Sequence, residues 1–207
     1  MDWTLGGFIT LAASAGILSA AVTASLTALG SYLHRRSQAR YLALRLSILM
    51  DQYFHRCLGY ISEATDYNAS SGTRGQLITS VPVPADLPSD AEAWLNLKSR
   101  LADRTLSMEP RIAYANREIQ AESEHHGWED AVSALALTSL YQIAQDAYIL
   151  SYDLRHRYRF KQLVHSAKSY QWLLSAKDEH SARLKELDDR REESNRKMLS
   201  EMDDAKN

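Results

Sequence analysis

Residues 3–36 read WTLGGFITLAASAGILSAAVTASLTALGSYLHRR, with no charged side chain between Trp3 and Leu33. A helix needs about 20 mostly apolar residues to cross a hydrocarbon core of roughly 30 Å, so this stretch is long enough to span a bilayer and tilt within it. Its bulk comes from Leu5, Phe8, Ile9, Leu11, Ile17, Leu18, Val22, Leu26, Leu29 and Leu33, diluted by alanines, serines and threonines. Trp3 and Tyr32 fall about 44 Å apart at 1.5 Å per helical residue, the separation of the aromatic belts at the two faces of a membrane. Charge orients the span. Only Asp2 and the amino terminus precede it, whereas Arg35, Arg36, Arg40 and Arg45 follow, and such cationic flanks stay on the cytoplasmic side. The expectation is a single-pass inner-membrane protein with its N-terminus outside and residues 34–207 in the cytoplasm. An alanine-rich helix buried in a soluble core would be shorter, and a cleavable signal peptide would carry its basic residues before the apolar run.

Within the span, Ala12, Gly16, Ala20, Ala24 and Ala28 recur every four residues and form one slanting row of small side chains. Membrane helices associate by close packing and interhelical hydrogen bonds, so the row is a candidate homodimer seam, with a different partner helix as the alternative.

The remaining 170 or so residues suffice for one domain with its own core. The single cysteine, Cys57, has no disulfide partner within the chain and reads as a small core residue in a reducing compartment. A formal net charge of −2 argues against a dedicated nucleic-acid binder, and none is expected as a partner.

Outside the span, every Gly and Pro lies between Gly59 and Gly127. Residues 34–66 should therefore continue the helix out of the membrane, as a stalk that is also the first core element. Ala39, Leu42, Leu46, Leu49, Tyr53, Cys57, Tyr60, Ile61 and Ala64 give it an apolar stripe. Residues 67–88 hold Gly72, Gly75, Pro82, Pro84 and Pro88 and read as a mobile connector, with Leu77–Val81 as a short extended piece.

A helical bundle is expected over 89–165. Ser89 opens a capping box with Glu92, Ser107 starts a helix that tolerates Pro110 in its first turn, and Gly127 stops it. Ala131, Leu135, Thr138, Tyr141, Ile143, Ala144, Tyr148 and Tyr152 then mark the main buried helix. An unbroken helix from Trp128 onward would be about 120 Å long, so a turn is expected near 156–166. Residues 166–207 read as a charged C-terminal helix that alternates acid and base from Lys177 onward and is solvated, with a short coiled coil of weak seam as the alternative. The fold class is all-α.

Little of this carries chemistry. Glu122 and His125 have the spacing of a di-iron bundle ligand pair, but such sites need a second pair and two more carboxylates. Asp51 and His55, one turn apart, could orient a general base, yet no phosphate loop, nucleophile elbow or His-Glu-x-x-His accompanies them. No catalytic, cofactor or metal residue is assigned, and no cofactor is expected. Arg155, Arg157, Arg159 and Lys161 form the densest basic cluster, expected first to cap helix carbonyls and pair with acids of the tail, with contact to anionic lipid as the functional alternative. In architecture, chiefly over residues 1–66, the chain resembles the short bacterial proteins that join one N-terminal span to a cytosolic helical domain. The reading is a membrane-anchored interaction or scaffold protein with membrane lipid and an unidentified protein as partners. A phage envelope factor of spanin type and a hydrolase at Asp51 and His55 are the alternatives.

Overall fold

One helix runs from the uncharged stretch into the middle of the domain. The computed structural model describes the backbone of residues 5–126 and 129–204 and the side chains of residues 22–125 and 131–198. Helix α1 (Leu5–Ala69) is followed by α2 (Ala91–Asn96), α3 (Ser99–Leu106), α4 (Met108–His126), α5 (Glu129–Arg157) and α6 (Val164–Asp204), with no strand among the described residues. The fold is all-α. At 65 residues α1 is about 97 Å long. Among the described residues no helix is long and apolar enough to cross a membrane. The first part of the uncharged stretch, through residue 21, lies outside the described side chains.

The domain begins where α1 acquires neighbours. From Val22 to Arg36 every side chain is exposed, whereas Ala39, Leu42, Ala43, Leu46, Met50, Tyr53, Phe54, Cys57, Ile61 and Ala64 are buried. These recur at three- and four-residue spacing and turn one face toward α5, the helix that α1 contacts most. The two run antiparallel: Ser151 Oγ on α5 donates to Ser47 O on α1 at 2.9 Å, and Tyr148 meets Phe54. The expected stripe holds except at Tyr60, which faces solvent, and it omits Met50 and Phe54, which are among the most buried side chains.

On α5 the buried face is rotated from the expected one. Of the expected set Tyr141, Ile143 and Ala144 are buried, and Val132, Ala136, Leu140, Ala147, Leu150 and Leu154 complete the core, while Thr138 and Tyr152 are exposed and Tyr148 is half-buried at the edge. At that edge Tyr148 stacks on Tyr170 of α6, and the buried Tyr141 pairs its hydroxyl with Thr65 of α1.

The 67–88 segment is not a free connector. Gly75 (φ +77°) lies so close to the end of α1 that a Cβ there would fall 2.1 Å from Glu63 O, so only glycine fits the fold-back. Ile78 and Val81 are buried, Tyr53 donates its hydroxyl to Pro82 O at 2.8 Å, and Arg56 Nη1 donates to Val83 O. Leu77–Val81 forms no strand.

Two helix starts differ in detail from expectation. Asp90, rather than Ser89, caps α2, its carboxylate accepting from Ala93 N, and the helix stops at Asn96. Ser107 does precede α4, but its hydroxyl turns back to Arg104 O. Helix α4 then buries Ile112, Ala115 and Ile119 as its spacing implies. Gly127, the expected stop, lies outside the described residues. The turn near 156–166 is present between α5 and α6. Helix α6 returns antiparallel to α5 with Tyr170 against Tyr148 and His180 against Thr138, burying Leu173. Beyond Leu187 its described side chains are exposed, with ion pairs such as Arg190–Glu186 and Arg196–Glu192 at i, i+4.

Candidate functional site

Two places gather chemistry. The first is a cleft of about 900 Å³ at the end of the domain where α1 leaves its uncharged stretch. Arg35, Arg36 and Arg40 from α1, Lys98 from the α2–α3 junction, and Arg157 and Arg159 from the end of α5 line it, and no acidic residue does. The junction is placed by Asn96 Nδ2 donating to Gln38 Oε1 at 2.9 Å and by Lys98 N donating to the Tyr158 hydroxyl at 3.3 Å. Arg40 also lies over the Phe160 ring, 5.6 Å from its centroid.

The α5 end adopts a cap that glycine normally occupies. Phe160 N donates to Arg155 O at 2.8 Å across a residue in the left-handed region, and that residue is Arg159 at φ 57°. A side chain there costs about 1–2 kcal/mol relative to glycine. Such strain persists only where the surroundings impose it and is concentrated at working sites.

Of the basic residues singled out in the sequence, Arg157 and Arg159 join Arg35, Arg36 and Arg40 in the cleft. Arg155 does not. It is buried, and its Nη1 donates to Lys161 O, so it closes the turn rather than meeting a surface. Lys161 and Arg45 are exposed outside the cleft. In the small-residue row, Ala24 and Ala28 are exposed, while Ala12, Gly16 and Ala20 lie outside the described side chains.

The second place centres on Asp51, which is buried on α1. Ser166, in the first turn of α6, donates to Asp51 Oδ1 at 2.6 Å, and His55 Nε2 is 3.2 Å from the same hydroxyl. Because Ser166 gives its only proton to the carboxylate, the imidazole must donate to the serine oxygen. A nucleophilic triad needs the histidine in the middle, accepting the serine proton while its other nitrogen bonds the acid. Here the serine is in the middle, so this order does not activate Ser166. His165 stacks on His55 with centroids 5.3 Å apart. Neither Ser166 nor His165 was legible beside Asp51 and His55, since they lie more than 100 residues away.

The other sequence candidates are structural. Burial pushes the Cys57 thiol up to about 12, with a hydrogen bond to Tyr53 and the Arg56 charge only partly opposing it. It is a neutral core residue. His125 is exposed and its Nδ1 bonds to Ala121 O of its own helix at 2.9 Å.

Compared with protein-family models, with curated proteins and with solved structures, the chain gives no match.

Proposed function

We propose that this is a membrane-anchored helical scaffold whose domain stands against the anionic headgroups of the inner leaflet, with its N-terminus outside. The observation that carries the reading is the cleft: cations from three parts of the chain converge, with no acid among them, at the point where α1 emerges from residues 3–33. Each cation near an anionic membrane surface contributes about 1 kcal/mol of attraction, and a concave cluster concentrates the field. The apolar side chains next to it support the same placement. Val22, Leu26, Leu29, Tyr32 and Leu33 are exposed, an arrangement that suits lipid better than water. Continuity of α1 would make anchor and core one rigid body, so anything bound to the domain is held at a fixed height. An unidentified protein partner bound there is part of the proposal.

Two measurements test it. A periplasmic phosphatase fused after Asn207 is expected to be inactive and a cytoplasmic fluorescent reporter at the same place active. The reverse pattern would overturn the topology and favour the envelope-spanning alternative. In detergent, short-chain phosphatidylglycerol is expected to bind the full chain, with phosphatidylcholine binding at least about tenfold more weakly and Arg36→Glu with Arg157→Glu abolishing the difference. Equal binding of the two lipids by the unaltered protein would remove the headgroup reading.

A further inference from the structure

We propose that Asp51, His55 and His165 bind one divalent first-row transition-metal ion that clasps the start of α6 to α1. One ligand atom from each lies within 4.8 Å of the others. Ligand atoms on a tetrahedral zinc are about 3.3 Å apart, so the set has to close by no more than about 1.5 Å. Asp51 and His55 are one helical turn apart on α1, and the first turn of α6 delivers His165 beside them. The imidazoles are already stacked, 5.3 Å between centroids and 23° between planes.

The buried carboxylate points to a cation independently. Asp51 is 8 % exposed, and among the described residues its one salt-bridge contact is with His55 at 4.0 Å, an interaction that needs a protonated imidazole. A buried carboxylate charge is costly, and a metal ion offsets that cost. The carboxylate is also prepared. Ser166 donates to Oδ1, which fixes the group and leaves Oδ2 for a metal, the outer hydrogen bond that metal-bound carboxylates keep. A cation would replace the proton that His55 Nε2 now shares with the serine oxygen. Two imidazoles and one carboxylate suit zinc, nickel, cobalt or iron(II), whereas magnesium and calcium prefer oxygen alone. His165 is exposed, so the remaining coordination positions are open to water.

The test is titration of the full chain in detergent, free of affinity tags, with Zn²⁺ by calorimetry and with Co²⁺ by visible absorption. One equivalent of saturable binding with micromolar or tighter affinity is expected. His165→Gln removes an exposed side chain and leaves the core untouched, so it should stay folded and lose tenfold or more in affinity, as should Ser166→Ala. His125→Gln should bind as the unaltered protein does. Zinc should raise the melting temperature of the unaltered protein in a concentration-dependent way and leave that of His165→Gln unmoved. Absence of saturable binding, or binding that survives both His165→Gln and His55→Gln, would overturn the site.

Discussion

Asn116 on α4 grips Val81 by both polar atoms of its backbone: Val81 N donates to Asn116 Oδ1 at 2.7 Å, and Asn116 Nδ2 donates to Val81 O at 3.0 Å. One side-chain amide thus does for an isolated extended residue what a neighbouring strand would do. Asn116→Ala leaves both buried groups without a partner and should cost about 1–3 kcal/mol in denaturant unfolding. Asn116→Asp keeps the acceptor, loses the donor and should fall between. Proteolysis within 76–87 should accelerate in the same order. Unchanged cleavage in Asn116→Ala would mean that the segment is held elsewhere.

Arg159 trades stability for position. Arg159→Gly should stabilise the domain by about 1 kcal/mol by relieving a left-handed residue, while weakening the binding of phosphatidylglycerol. A melting temperature that falls in this variant would show that the side chain holds the fold rather than the ligand.

The core of α5 is built on its alanines and leucines together with Tyr141, with Tyr148 at its edge. Leu140→Ala, at a fully buried position, should cost about 2–5 kcal/mol. Tyr148 stacks on Tyr170 with centroids 4.0 Å apart, and a double-mutant cycle between them should give a coupling of about 0.5–1.5 kcal/mol. A coupling near zero would mean that α6 is not held by this pair.

His180 gives the α5–α6 contact a pH dependence. Burial, and next the Arg183 charge, lower its pKa from 6.5, so the folded state prefers the neutral imidazole. Its contribution is complete above about pH 6.5 and is lost as pH falls through the lower folded value. The melting temperature should therefore decline on acidification, and His180→Gln should flatten that decline. Parallel profiles for the two proteins would exclude His180 as the cause.

Cys57 should be inert. With its pKa near 12 and no exposed surface, it should resist a maleimide at neutral pH and react only after unfolding in guanidinium. Labelling of the folded protein at the rate of a free thiol would contradict its place in the core.

The sequence alone determined that the described chain is helical and roughly where its helices stop. Gly and Pro are confined to residues 59–127 outside the first 33, and a chain without them, periodic in apolar residues, has few alternatives to a helix. It also located the turn after α5 and the solvated end of α6, because charge density and the limit on helix length are local properties. Tertiary structure decided which way each helix faces. On α5 apolar residues are spread over a broad face, so periodicity fixed the helix but not its rotation, and packing against α1, α4 and α6 buried Tyr141 with the alanines and leucines while leaving Tyr148 at the edge and Tyr152 exposed. The docking of residues 76–88 likewise depends on Asn116, Tyr53 and Arg56, none of which is near in sequence. The cleft exists only because α5 returns antiparallel to α1, and the Asp51–His55–His165 cluster only because α6 then doubles back parallel to α1, bringing together groups whose individual neighbourhoods carry no signal of one another.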